Sequence, residues 1–484
     1  MAQSARLEIH QLNVGQGDST LIVNRKLDAV AAAIRAKGLT PPTEPIDYVP
    51  FAIQNAVPLA GTVAKALLID GGDDEYGGDV IDYLSAHGVL DGKKSGYLKN
   101  LVVLVSHHHD DHMAGLRSLF KRREETKGAK VKGVPSSTLK ARYRPAAVYQ
   151  PGHLGVKVPT TARYNAFQDD VNEAHGHKPV PTTVHTLDPG GLENGAPAVI
   201  PLGTGVAGIS ITARVVAASQ GVYDPVTNQV TKIPSVTKAV DQNDRSIVVV
   251  VEYGSFRYFA GGDIAGDGGP AGGNTSQNAM RKADKRYYSV HADVESTLGP
   301  VLERVLPQTT AYVSGTGKYP WPGYCTVMKA DHHGSSSSMD IHLLATLRPL
   351  IVLISAGVKA RFHRHPTPEV MSRLSSPWID RNGHAVTNSI SAVYLTEMAL
   401  TWRKKAFATQ LGSARVLGDI VVRPVDESVE ELHLATAPGK QLQVQVYGTG
   451  VSTTIYDGGT ALQPIVGVKQ DKYPVGPFMH TDTH

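Results

Sequence analysis

A layered α/β fold is the class this sequence predicts, on three observations. Short apolar runs alternate with stretches of helical periodicity, the runs end in turns rich in Gly and Asp, and the chain opens on two alternating segments that read as a hairpin. In that opening Leu7-Glu8-Ile9-His10-Gln11-Leu12 alternates as a half-buried strand does, breaks at Gly15-Gln16-Gly17-Asp18 and resumes at Thr20-Leu21-Ile22-Val23. Residues 27–66 read as an insertion: an Ala-rich helical piece from Leu27 to Ala36, a Pro-rich turn region and a second apolar segment. Ala66 to Ile69 is a short strand closed by Asp70-Gly71-Gly72, Val80 to His87 is a helix, and Leu101 to Val105 is the next strand.

The region from 117 to 235 gives few clear elements. A basic stretch carries Arg117, Lys121, Arg122, Arg123, Lys127, Lys130, Lys132, Lys140, Arg142 and Arg144 against Glu124 and Glu125, and turn formers follow before a strand from Ile209 to Val216. Ser246 to Tyr253 and Phe256 to Ala260 form a clear strand pair around Gly254-Ser255, ending in Gly261-Gly262-Asp263. After a Gly-rich and basic segment come a helix from Asp293 to Val305 and a strand, Val327 to Ala330, that runs into Asp331-His332-His333-Gly334-Ser335. Leu350 to Ser355 is a buried strand, followed by His363-Arg364-His365-Pro366-Thr367-Pro368 and a helix from Glu369 to Leu374. Ala392 to Thr396, Asp419 to Arg423 and Leu442 to Tyr447 either complete a sheet or make a C-terminal addition.

Composition excludes several classes. A net charge of +4 over 484 residues is too small to argue by itself for nucleic-acid binding. No basic leader with an apolar core opens the chain, and no apolar run reaches membrane-spanning length. Cys325 is the only cysteine, so neither an internal disulfide nor a thiolate metal cluster is available. The expectation is a soluble protein of a reducing cytoplasm, with no membrane partner, whose metals are held by nitrogen and oxygen.

His107-His108-His109-Asp110-Asp111-His112 is the stretch that points to chemistry. A strand ending in a turn aims His107 and His109 to one side of a metal-sized gap, and Asp111 and His112 close a second position from the start of a helix. A histidine-rich loop without metal is the plain alternative, but these residues sit at a strand-to-helix junction rather than in a low-complexity tract.

Read as His-x-His-x-Asp-His, the spacing resembles the signature of the metallo-β-lactamase superfamily. Around it, Leu12-Asn13-Val14-Gly15-Gln16-Gly17-Asp18-Ser19, Leu68-Ile69-Asp70-Gly71-Gly72, Asn243-Asp244-Arg245-Ser246, Gly262-Asp263, His332-His333-Gly334-Ser335 and His365-Pro366 follow in an order similar to the hydrolase domain of the DNA-uptake protein ComEC and its soluble relatives. The resemblance implies a four-layer αβ/βα sandwich over residues 1–424, with insertions at about 27–66, 117–200 and 264–326, and a β-rich extension over 425–484. It implies one or two divalent ions, zinc or manganese, on His107, His109, Asp111, His112, Asp263 and His332.

Asp18, Asp70, Asn243 and His333 are expected to orient ligands or meet substrate, Asp70 by accepting the second ring N–H of a ligating histidine. Asp111 and His365 are the expected catalytic pair, His365 contacting a phosphate or protonating a leaving oxygen. One departure stands out: many members supply a further histidine where this chain has Asn243-Asp244-Arg245-Ser246. His153, His175, His177 and His185 are candidates to replace it, each more readily read as a surface or loop residue. Gly203-Thr204-Gly205-Val206-Ala207-Gly208 matches a dinucleotide fingerprint but precedes a strand rather than a helix, so no nucleotide cofactor is expected.

The leading expectation is a metal-dependent phosphodiesterase or nuclease in which metal-bound hydroxide attacks a phosphodiester, with nucleic acid as substrate and the basic stretch along its backbone. Two alternatives stay open: hydrolysis of a small molecule such as a cyclic nucleotide, lactone or thioester, and a metal-stabilised binding module of a larger assembly.

Overall fold

The computed structural model describes residues 5–43, 47–93, 95–122, 140–141, 143–153, 159–205, 208–233, 241–266, 291–306, 324–357, 365–390, 392–397, 415–416, 418–425, 443–448, 455–457, 460–462 and 475–480. Two large sheets dominate a mixed α/β architecture. The first half supplies β1 (Ala5–Gln11), β2 (Thr20–Lys26), α1 (Leu27–Ala36), α2 (Tyr48–Gln54), β3 (Val63–Ile69), α3 (Gly77–Ala86), β4 (Gly96–Leu104), β5 (Tyr143–Pro151), α4 (Ala162–Gly176) and β6 (Thr183–Leu187). After these come β7 (Val199–Thr204), β8 (Ser210–Ala218), β9 (Gly221–Asp224), β10 (Gln229–Lys232), β11 (Val248–Tyr253), β12 (Phe256–Ala260), α5 (Val294–Val305), β13 (Val327–Lys329), α6 (Ile341–Leu347), β14 (Ile351–Ile354), α7 (Pro368–Ser375), β15 (Ala392–Leu395) and β16 (Arg415–Val416). The chain's last strands in these sheets are β17 (Ile420–Val425), β18 (Gln443–Gly448) and β19 (Val475–His480).

The first sheet runs β19-β18-β17-β1-β2-β3-β4-β5-β6, and the second runs β10-β9-β8-β11-β12-β13-β14-β15-β16 with β7 also on β8. β1 pairs antiparallel with β2, as the opening alternation predicts, and from β3 through β6 the pairing is parallel. In the second sheet β12 to β16 are parallel. The late strand β17 pairs with β1, and β18 with β17, in the first sheet.

Side-chain alternation explains why the sequence shows unbroken apolar runs. In β4, Val102 and Leu104 enter a core that also holds Val249 and Val251 of β11 and Ile351 and Leu353 of β14. The alternate residues Leu101 and Val103 pack on the other face with α3 and α4, through Val80, Ile81, Leu84, Phe167 and Val171. Val248, Val250, Val352 and Ile354 likewise pack against α5, α6 and α7 through Leu298, Leu302, Leu344 and Val370. Strands buried on both faces need apolar residues at every position, so period-2 patterning vanishes there. Fully burying one such Val or Leu contributes about 1.5–3 kcal/mol.

α1 and α2 form a small core of their own, with Val30, Ile34, Val49 and Ala52 buried together. No helix among the described residues is long and apolar enough to cross a membrane.

Candidate metal centre

The candidate ligands gather where strands of both sheets end, and local backbone geometry explains how. Asp18 follows β1 in a loop pressed onto the histidine loop: its backbone N–H donates to Asp111 O at 3.1 Å and its carbonyl accepts from Gly72 N–H at 2.8 Å. The approach requires glycine at position 17, because a Cβ there would lie 2.3 Å from Asp111 O and 2.9 Å from Gly72 Cα, both backbone atoms. Gly17→Ala is therefore expected to cost about 1–3 kcal/mol by overpacking and to weaken metal binding by displacing Asp18. Urea melts and metal titration of the variant check this; wild-type values in both would refute the fit.

Asp70 closes β3 and organises the histidine loop. Its carboxylate accepts from Ser106 N–H at 2.7 Å, from Ser106 Oγ at 2.5 Å and from His112 Nδ1 at 2.9 Å. That last bond keeps a proton on Nδ1 and leaves Nε2 as the atom that could ligate once its own proton is displaced. His112 stands in the short helix Asp110–Met113 and is fully buried.

Asp263 is the hub. It follows β12 through Gly262, whose φ of +63° and closeness to Ser246 and Ser106 leave no room for a side chain. Asp263 Oδ2 lies 3.2 Å from His112 Nε2, 3.6 Å from His333 Nε2, 3.8 Å from His332 Nε2 and 3.9 Å from His107 Nε2. His332 and His333 follow β13 in successive left-handed conformations, φ +47° and +53°. Two consecutive residues so bent turn both rings toward Asp263, where a strand would have sent them to opposite faces.

Asp18, His112, Asp263 and His333 present one ligand atom each within 4.8 Å of one another, all buried. Asp263 Oδ1 and both ring nitrogens of His333 have no hydrogen-bond partner among the described residues. Buried carboxylate and imidazole atoms left without hydrogen bonds are costly unless a cation completes them. Two carboxylates and two imidazoles, with no thiolate, are a nitrogen-and-oxygen donor set that could hold a divalent metal ion.

The sequence reading places His332 and Asp111 among the ligands and gives Asp18 and His333 supporting roles. In the structure His333 and Asp18 join the tightest group. Asp111 stands at its rim, Oδ2 3.6 Å from His333 Nε2 and Oδ1 4.0 Å from His112 Nε2, with 36 % of its side chain exposed. His109 meets His107 rather than Asp263, Nδ1 to Nε2 at 3.0 Å. Asn243 Nδ2 lies 3.4 Å from His332 Nε2, and the His365 ring stands 5.6 Å from that of His332 and 6.3 Å from that of His333.

None of the four candidate replacement histidines reaches this group. His153 stacks on His108, His175 bonds Thr182 O, His177 meets Arg144, and His185 bonds Glu193. The histidine that does approach is His291, 5.2 Å from the His332 ring, and nothing in its sequence context marks it. Lys329 was also missed, although a lysine in an apolar strand was a signal: its ammonium donates to Gly262 O and Ala330 O and pairs with Asp18.

Electrostatics divide the histidines. Burial opposes charge on His112, but the carboxylates of Asp263, Asp111 and Asp70 outweigh it and hold its imidazolium well above the ordinary range. His333 is raised despite burial by Asp263 and Asp18, whereas burial holds His107 and His332 well below that range. Asp263, despite burial, is kept well below the usual carboxylate range by His112, His333 and His332.

The basic stretch is partly consumed within the fold. Arg117 Nε bonds Asp170 Oδ2 at 3.0 Å, Lys121 Nζ reaches Asp170 Oδ1 at 3.1 Å and Glu173 Oε2 at 2.8 Å, and Arg144 donates to Val180 O at 2.6 Å. Residues 123–139 lie outside the described residues.

No family model matches the chain, and no curated protein matches it.

Proposed function

We propose that the chain is a divalent-metal-dependent hydrolase of phosphodiesters, with nucleic acid as the substrate class, and that its sheets and helices form the αβ/βα sandwich of the metallo-β-lactamase superfamily. The observation that carries this reading is the buried Asp18, His112, Asp263 and His333 group at the ends of strands from two facing sheets. The ordered motifs of the sequence support the superfamily assignment, and the helix-backed outer faces of both sheets support the layering.

A divalent ion held there, zinc or manganese, would activate water and offset charge on the phosphoryl oxygens. Asp263, within 4 Å of four imidazoles, would help hold the ion, and His107 and His332 would be available to a second one. Asp70 fixes the His112 tautomer through Nδ1, and Ser106 ties Asp70 to the loop. Lys329 neutralises part of the carboxylate charge beside Asp18. His365, next to His332 and His333 at the start of α7, is placed to contact a phosphate or hold the proton delivered to the leaving oxygen. Asp111, at the half-exposed rim, would hold the proton taken from water.

The test is incubation of the purified protein, zinc-loaded and manganese-loaded, with single-stranded DNA, duplex DNA and bis(p-nitrophenyl) phosphate. Cleavage suppressed by chelator and by His365→Ala supports the reading. Intact diesters with metal bound would refute it and direct the search to lactones and thioesters.

A further inference from the structure

A buried cation next to the candidate metal centre has no ion-pair partner among the described residues. Arg245 closes the turn Asn243–Arg245, is 2 % exposed, and its Nε and Nη1 have no hydrogen-bond partner among the described residues. Arg25 and Arg423 pair with Glu8, Arg117 with Asp170, and Arg373 donates to backbone carbonyls; Arg257 Nε and Nη1 also have no hydrogen-bond partner among the described residues, but Arg245 is the one whose turn touches the candidate metal centre. Around Arg245 stand neutral rings. Its charge acts on His108, His153 and Tyr164, lowering both histidines.

The three rings form one cluster. His108 stacks on His153 at 5.1 Å with planes 23° apart, Tyr164 meets His108 edge-on at 4.9 Å, and the Tyr164 hydroxyl lies 3.1 Å from His153 Nε2. His153 is only partly buried.

This cluster adjoins the candidate metal centre through two short links. His108 lies between His107 and His109, and the residues flanking Arg245 in its turn reach the centre: Asn243 to His332, and Ser246 Oγ to Asp263 N at 3.0 Å and His107 Nδ1 at 3.4 Å.

We infer that Arg245, with the Tyr164 hydroxyl and His153, is an anion subsite that takes a phosphate oxygen of the substrate beside the metal centre. A guanidinium presents a planar fork of donors suited to phosphate, and an unpaired buried charge is costly until an anion meets it. The inference builds on the phosphodiesterase reading, naming the group that grips the substrate, while the anion affinity itself requires no metal.

The experiment is a melting-temperature and calorimetric titration of chelator-treated, full-length protein with inorganic phosphate and, in a second arm, a short oligothymidylate. Wild-type protein should show saturable stabilisation, and Arg245→Met should lose at least about tenfold in affinity, the factor expected from one hydrogen bond between charged groups. In phosphate-free buffer Arg245→Met should melt no lower than wild type, since it removes an uncompensated charge; a structural arginine would show a lower melting temperature with phosphate affinity intact. Should Arg245→Met fail to fold, Arg245→Lys and His153→Gln give the same readout. Preference for the oligonucleotide assigns the subsite to a nucleic-acid backbone, and phosphate alone assigns it to a free phosphate group. Phosphate affinity unaffected by these variants overturns the inference even if the loaded enzyme cleaves diesters. Arg245-dependent phosphate binding without any cleavage would keep the subsite and overturn the phosphodiesterase reading.

Discussion

Asp263→Ala is expected to abolish diester cleavage, lowering it by more than about a hundredfold, because loss of an outer-shell partner alone costs 10–100-fold and Asp263 is the carboxylate on which four imidazoles converge. Asp70→Asn should cost less, within about 10–100-fold, since it perturbs the His112 tautomer while leaving the candidate ligands in place. Turnover of both variants at saturating metal checks the order; equal losses would show that the two carboxylates share one role. Metal uptake should also release protons. In the metal-free protein His112 and His333 are held above the ordinary histidine range, so near neutrality an incoming cation displaces their protons and affinity falls as pH falls. A pH-indicator titration in weak buffer should record at least one proton released per ion bound.

Glu8→Gln should be the most destabilising substitution away from the centre, by about 3–5 kcal/mol. Glu8 on β1 is 1 % exposed; its Oε2 accepts from Arg25 Nε at 3.2 Å and Nη2 at 2.9 Å, and Arg423 Nη2 on β17 lies 3.1 Å from Oε1. Removing the carboxylate leaves two guanidiniums buried against each other across three neighbouring strands. Burial alone would raise the Glu8 carboxyl, but Arg25 and Arg423 hold it well below its ordinary 4.5. Its stabilisation is therefore present above about pH 4.5 and lost as pH falls through the depressed value. His10 and His87 are buried and lowered from 6.5, so their contribution begins to fail in acid earlier, below that ordinary value. Urea denaturation of wild type and variant at pH 7 and pH 4 checks both statements: the gap between them should narrow at pH 4, and a pH 7 difference under about 1 kcal/mol would dissolve the network argument.

Where one physical signal dominated, the fold was legible in the sequence. α1 occupies Leu27–Ala36 as expected because Leu27, Val30, Ala31 and Ile34 fall on one face. α4 escaped notice because its buried face includes Asp170, which is polar yet satisfied by Arg117 and Lys121 from a distant segment. Such a helix has little amphipathic signal, and the same pairing removes two cations from the apparent backbone-tracking patch. In the candidate site, ligand types and strand-end positions were readable from motif order. Which of His332 and His333 comes closest to Asp18 and His112 was not, because alternation applies to strands and these residues are both left-handed. His291 and the Arg245 cluster depend on contacts between distant segments that no local pattern encodes.

Equilibrium dialysis of the full-length protein against zinc and, separately, manganese, followed by elemental counting of bound metal, tests the central claim most directly. At least one tightly held ion per chain is predicted, absent from an Asp263→Ala, His333→Ala variant that melts as a folded protein. Wild-type protein that retains no more metal than this variant would contradict the metal centre and the hydrolase built on it.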